Sequence, residues 1–233
     1  MSKKRSKRYQ EAAKLVTPNA SYSVNNAIEV MKSFPAPKFD PSVTVSFHLT
    51  VDPRKSDQMV RGSVTLPHGT GKNVRVLVFA QGDAAKEAEE AGAEFVGLDD
   101  LIEKVQNGFL DFETVIASHD VMKKIARLSR ILGPRGMMPN PKTGTVTNDV
   151  AKAVKEVKAG RVNYKIDKSA NISAAVGKLS FDNEAIAENI KSFIYSIVKA
   201  RPASAKGAYI QSATISCAMC PGLLVDTAEY AKL

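Results

Sequence analysis

The sequence predicts an α/β protein of two domains. One is a discontinuous two-layer α+β domain built from both termini, 1–68 and 160–233. The other is a Rossmann-like parallel α/β domain, 69–159, inserted into it. Three observations predict this. Residues 1–68 sum to +6, residues 69–159 to 0 and residues 160–233 to +3, so the outer pieces hold the whole net charge of +9. Residues 42–51 alternate between polar and apolar side chains, as in a strand with one open face. Residues 74–132 alternate apolar runs with amphipathic stretches, as in β-α-β units whose sheet is covered on both faces.

A chain of 233 residues with 44% hydrophobic and 24% charged residues is long enough and ordinary enough to bury real cores. No apolar run approaches the roughly 20 residues of a membrane span. No apolar segment follows the basic start MSKKRSKRYQ, so no secretory signal is expected. Two cysteines cannot staple a fold of this size, and a reducing, cytoplasmic setting is expected. The positive balance points to an anionic partner, nucleic acid above all.

The elements follow in order. Lys3, Lys4, Arg5, Lys7 and Arg8 form a basic arm, either a solvated tail or a phosphate contact. A helix is expected over 9–16. A second follows Ser23, with Ala27, Ile28, Val30 and Met31 apolar and Pro35 and Pro37 closing it. In 42–51, Val43, Val45, Phe47, Leu49 and Val51 make one face; Ser42, Thr44, Ser46, His48 and Thr50 make the other. An antiparallel sheet open on that polar side is expected.

In the middle, 74–80 is a strand and 83–92 a helix of strong formers stopped by glycine. Residues 95–96 are a strand, 99–107 a helix, 115–117 a strand and 120–132 a helix ended by Gly133. An ordered loop over 133–145 and a helix over 148–158 complete the insert. Beyond Gly160, strands 162–166 and 172–176 should form a hairpin joined by DKSAN. An amphipathic helix over 183–199 and a strand over 209–216 finish the outer domain, which should hold four strands and one long helix.

Several motifs fall short of chemistry. Gly69-Thr70-Gly71-Lys72 approaches a phosphate loop, but Leu66 and Asn73 stand where that motif needs Gly and Ser or Thr. A turn at the domain crossing is expected instead. The turn Ala80-Gln81-Gly82-Asp83 lacks the dinucleotide glycine pattern. Cys217-Ala218-Met219-Cys220 has no second pair to complete a zinc site. It ends a strand rather than opening a helix, so two coincidental thiols are expected. His48, His68 and His119 are scattered, and nothing groups as a catalytic set. No cofactor, no metal and no enzyme activity are expected. A nucleotide-binding enzyme working through the insert is the alternative. By contrast, Lys38-Phe39-Asp40, the hydroxyl-bearing strand and DPRKSDQMVRG (52–62) combine a ring, hydroxyls and bases. RNA is read by such groups, through stacking, 2′-OH bonds and phosphate neutralisation.

The stretches KFDPSV, DPRKSDQMVRGSVTLPHGTGK (52–72), GAEFVG, ILGPRGMMPNPKTGTV (131–146), KAGRV and AKGAYI together resemble the bacterial ribosomal protein L-one family, the mobile stalk protein of the large subunit. The likeness covers essentially the whole chain. It implies a first domain from both termini with an inserted Rossmann-like second domain. It also implies a place in the large ribosomal subunit, on the cytoplasmic ribosome and away from membranes. The implied partners are a large-subunit rRNA stem-loop, exit-site tRNA whose release it assists, and its own operon mRNA, which it represses. The family's RNA-binding positions fall on Lys38, Phe39, Ser42, Thr44, Arg54, Lys165, Asp167 and Lys168, with Ile166 where relatives carry Asn. Near the C-terminus relatives read Thr-Thr-Met-Gly; here the segment ends Ala218, Met219 and Cys220, and only Met219 is kept. A hydroxyl is lost at Ala218, and Cys220 puts a Cβ where glycine would allow close approach or a positive φ.

Overall fold

The computed structural model describes residues 5–17, 20–205 and 207–227; Lys3 and Lys4 of the basic arm lie outside them. The chain divides into two compact units. One holds residues through Gly71 and from Val162 onward, and the other is Lys72–Arg161. Both boundaries lie slightly C-terminal to those expected from composition.

The first unit begins with α1 (Lys7–Lys14), capped by Ser6, whose Oγ accepts from the Tyr9 N–H. β1 (Ser21–Tyr22) leads into α2 (Val24–Lys32), capped in the same way by Ser23 through the Asn26 N–H. β2 (Ser42–Leu49) buries every second residue, and β3 (Arg61–Thr65) follows.

In the second unit, β4 (Val76–Phe79), α3 (Asp83–Glu90), β5 (Phe95–Gly97), α4 (Asp99–Gln106) and β6 (Thr114–Ala117) appear in the expected alternation. The expected helix over 120–132 is instead α5 (Met122–Ile125), a 3-10 turn (Ala126–Leu128) and α6 (Ser129–Leu132). A 3-10 turn eclipses residues three apart. Ile125 and Leu128 stand at that spacing, and both are fully buried. α7 (Val150–Lys158) closes the unit, with Asp149 as its cap. The strands order as β5-β4-β6, all parallel. Leu77 and Phe79 pack with Leu101, Ile102 and Val105 on one face, while Val76 and Val78 pack with Ala88, Val150 and Val154 on the other. Burial on both faces is why the strand reads as an unbroken apolar run.

The chain then returns through β7 (Arg161–Lys165), β8 (Asn171–Lys178), α8 (Asn183–Lys199), β9 (Ile210–Cys217) and β10 (Leu223–Val225). A five-stranded sheet in the order β1-β10-β9-β2-β8 carries α2 and α8 on one face. Phe47 of β2 meets Phe193 of α8 with ring centroids 5.6 Å apart, near the middle of this core.

The expected hairpin of 162–166 with 172–176 does not form. β7 pairs with β3 in a separate two-stranded sheet, and β8 joins β2. Tyr164 explains the departure. Its ring packs edge-on to Phe193, and its hydroxyl lies 3.0 Å from Ser196 Oγ, so α8 draws β7 away from the main sheet. β3 admits this ring because position 62 is glycine; a Cβ there would stand 2.7 Å from the Tyr164 hydroxyl. The outer unit therefore holds more than the four expected strands. β1 and β10 are too short to show a period of two.

Candidate nucleic-acid interface

The interface is built on the sheet face that α2 and α8 leave open. Val43, Val45, Phe47 and Leu49 of β2 are fully buried beneath it, which turns Ser42, Thr44, Ser46 and His48 outward. Residues directly opposite in an antiparallel pair share a face. His48 therefore stands between Asn171 and Ser212, Ser46 between Ser173 and Thr214, and Thr44 between Ala175 and Ser216. Ser46 and Ser173 hydroxyls lie 2.8 Å apart, and His48 Nδ1 lies 2.7 Å from Asn171 Oδ1. The result is a sheet of hydroxyl and amide groups that can donate to phosphate oxygens and exchange bonds with 2′-hydroxyls. The contributions of β8 and β9 were missed from sequence. Their signal is present in IQSATISC, where Ser212, Thr214 and Ser216 alternate with buried Ala213, Ile215 and Cys217.

At the Ser42 end of this face stand the loop with Lys38 and Phe39 and the turn with Ala218, Met219 and Cys220. Lys38 is exposed, and Phe39 leaves 47% of its surface open, so it is not a core residue. The loop is fastened behind the ring. Ser180 Oγ donates to the Asp40 carboxylate at 2.8 Å, and Lys178 Nζ donates to the Asp40 carbonyl at 3.2 Å. The Ala218 N–H donates to the Ser42 carbonyl at 3.0 Å, which pins the turn beside the start of β2. Cys220 N–H closes the turn on the Cys217 carbonyl, also at 3.0 Å. Cys220 stands where the family resemblance implies glycine, but the left-handed residue of the turn is Met219, at φ 62°. That backbone costs a non-glycine residue about 1–2 kcal/mol. Met219 is 70% exposed, at the tip.

At the His48 end lies a half-open cavity of about 710 Å3, lined by Pro53, Arg54, Met59, Lys165, Ile166, Asp167 and Lys168. Arg54, Lys165 and Lys168 are exposed cations. Asp167 behaves differently. Its carboxylate accepts from the Ser169 and Asn171 N–H groups, each at 2.8 Å, and from Asn171 Nδ2 at 3.3 Å. The Asn171 N–H, first among these donors, holds the Asp167 carboxyl below its ordinary pKa. Asp167 thus shapes the turn that presents Lys168. Since β2 rises ~3.3 Å per residue, the two ends are about 20 Å apart. The site residues foreseen from sequence form two groups, joined by the hydroxyl face.

Elsewhere the structure offers little chemistry. Among the described residues, no group of three or more His, Cys, Asp or Glu is placed to hold a metal ion, and no helix is long and apolar enough to cross a membrane. In the inserted unit, Asp83 opens α3 directly after Gly82. A carboxylate there opposes a phosphate at the helix N-terminus.

Residues 31–221 match the model of the Ribosomal protein L1p/L10e family. The chain belongs to this family. The match spans every position of the open face and of both its ends, while α1 lies before it. Among curated relatives, the large ribosomal subunit protein uL1 of Bifidobacterium longum subsp. infantis is 56% identical over 223 residues, covering 96% of this chain and 97% of the relative. The protein of the same description from Bifidobacterium animalis subsp. lactis is 55% identical over 97% of this chain and 99% of its own. That from Bifidobacterium adolescentis is 53% identical with the same coverage. Membership in the L1p/L10e family accords with the mixed α/β fold and its parallel three-stranded unit.

Proposed function

We propose that this chain is a structural protein of the large ribosomal subunit that grips an rRNA stem-loop with the open face of its outer unit. The observation that carries this reading is the hydroxyl face of β2, β8 and β9, bounded at one end by Lys38, Phe39 and Met219 and at the other by Arg54, Lys165 and Lys168. Cations at both ends neutralise phosphate, the exposed ring and thioether pack on bases or sugars, and hydroxyls between them meet the ribose edge. Asp167 contributes by holding Lys168 in place. The names of the curated relatives support assignment to the large subunit.

The same reading includes work beside the tRNA exit site, assisting release of tRNA, and repression of the chain's own operon mRNA through a stem-loop that mimics the rRNA. It places the protein on cytoplasmic ribosomes. No reaction is assigned to it. Titration of the intact protein with the rRNA stem-loop, its own leader mRNA and a DNA duplex of equal length tests the reading. Tight binding to both RNAs and only weak, salt-sensitive binding to the duplex is expected. Equal affinity for all three would reduce the site to a general basic surface.

A further inference from the structure

We propose that Cys217 and Cys220 are a reversible dithiol–disulfide pair, a modification site for peroxide-class oxidants beneath the turn that presents Met219. Sequence spacing alone reads these residues as coincidental thiols; the fold brings them together. The 3.0 Å bond from the Cys220 N–H to the Cys217 carbonyl closes a four-residue turn. Such a turn holds its outer Cα atoms within about 7 Å. A disulfide needs roughly 4.4–6.8 Å.

The side chains also lie on the same side. Cys217 ends β9 on its inward face and is 3% exposed, and the partly buried Cys220 packs against the same core cluster. Met219, between them, points to solvent. Cys220 Sγ is 3.7 Å from the Ala218 carbonyl oxygen, so its side chain folds back over the turn. Among the described residues no third ligand joins them, which argues against a metal.

The two sulfurs have different parts. Burial pushes the Cys217 thiol up to about 12, whereas Cys220 is the one solvent reaches. Hydrogen peroxide is the oxidant. The Cys220 thiolate attacks one peroxide oxygen and the O–O bond breaks. The departing hydroxide takes a proton to become water, leaving a sulfenic acid. The Cys217 sulfur, losing its proton, attacks that sulfenic sulfur. The S–O bond breaks, the S–S bond forms and a second water leaves. Two thiols and one peroxide become one disulfide and two waters. The Arg8 guanidinium favours the thiolate form of Cys217. The bridge lies under the turn and holds Met219 in its left-handed conformation. A thiol reductant restores the pair.

The test uses the full-length folded protein, reduced and then treated with a small excess of hydrogen peroxide. The sequence has only two cysteines, so the product is unambiguous. Loss of both free thiols, a mass lower by two hydrogens, a monomer on a non-reducing gel and full reversal by dithiothreitol are expected. Cys217→Ala should leave a sulfenic acid on Cys220 that dimedone traps, and circular dichroism would verify that this variant is folded. Retention of both thiols while free glutathione in the same tube is oxidised would overturn the proposal. So would a disulfide-linked dimer in place of the intramolecular bridge, or a folded Cys217→Ala protein with an unreactive Cys220.

Discussion

Arg8 Nη2 donates to the backbone carbonyl of Met219 at 3.2 Å, tying the first helix to the turn at the end of β9. Arg8 Nη1 is buried with no hydrogen-bond partner, so the guanidinium is wedged against the turn rather than free in solvent. Arg5 lies instead over the Tyr9 ring, 4.7 Å from its centroid. The basic arm is therefore not uniform. Arg8→Ala should loosen the Met219 turn and weaken stem-loop binding about tenfold, or ~1.4 kcal/mol. Arg5→Ala should change it by less than about threefold. Fluorescence titration of both variants at one salt concentration checks this; equal effects would contradict the tie.

Phe39 and Phe47 separate binding from stability. Phe39→Ala should cost about 1–3 kcal/mol of RNA affinity through lost stacking, with little change in Tm. Phe47 is 1% exposed, and Phe47→Ala should cost about 3–5 kcal/mol of folding stability. Thermal melts paired with titrations distinguish the two.

Asp167 predicts a pH dependence. Its pKa is held below the ordinary 3.8 by the Asn171 N–H first of all. A carboxylate whose folded pKa is depressed adds stability that is fully present above the unfolded value. That stability fades as pH falls from 3.8 toward and through the folded value. Asp167→Asn should therefore remove part of the acid limb of a Tm–pH curve and leave its neutral plateau lower. An unchanged acid limb would show that the turn does not depend on this charge.

Salt provides another check. Binding through several phosphate contacts makes log K fall linearly with log salt, by roughly 0.7–0.9 per neutralised phosphate. Neutralising Arg54, Lys165 and Lys168 together should flatten that slope by about 2–3. Phe39→Ala should leave it unchanged. An unaltered slope in the triple variant would exclude the cavity from the interface.

Much of the architecture was legible because it follows from burial. The alternation of β2 survives as buried Val43, Val45, Phe47 and Leu49, and the helix over 183–199 appears with the expected bounds. The pairing of β7 with β3 was not legible, because it depends on where Tyr164 finds Phe193 and Ser196, contacts that no local pattern encodes. For the site, the loop position of Phe39 was readable from the two prolines before it, while a core place for its ring stayed open until the structure showed the ring exposed. The positive φ of Met219 and the tie from Arg8 were not, since the residues involved are 211 positions apart. Asp167 was recognised by likeness as an RNA contact; that its Oδ1 also accepts two backbone N–H groups of its own turn was not legible.

On this reading the outer unit carries the RNA affinity and the charge-neutral insert does not. The most direct measurement is a parallel titration of one stem-loop RNA at fixed salt. The intact chain is compared with an outer unit whose residues 72–161 are replaced by a short flexible linker, and with the isolated 72–161 segment. The core around Phe47 and Phe193 draws only on residues outside the insert, so the outer unit should fold. It should bind within about tenfold of the intact chain, or ~1.4 kcal/mol, while the isolated insert binds weakly. An insert that binds as tightly as the intact chain, or an outer unit that folds and loses the RNA, would contradict the account.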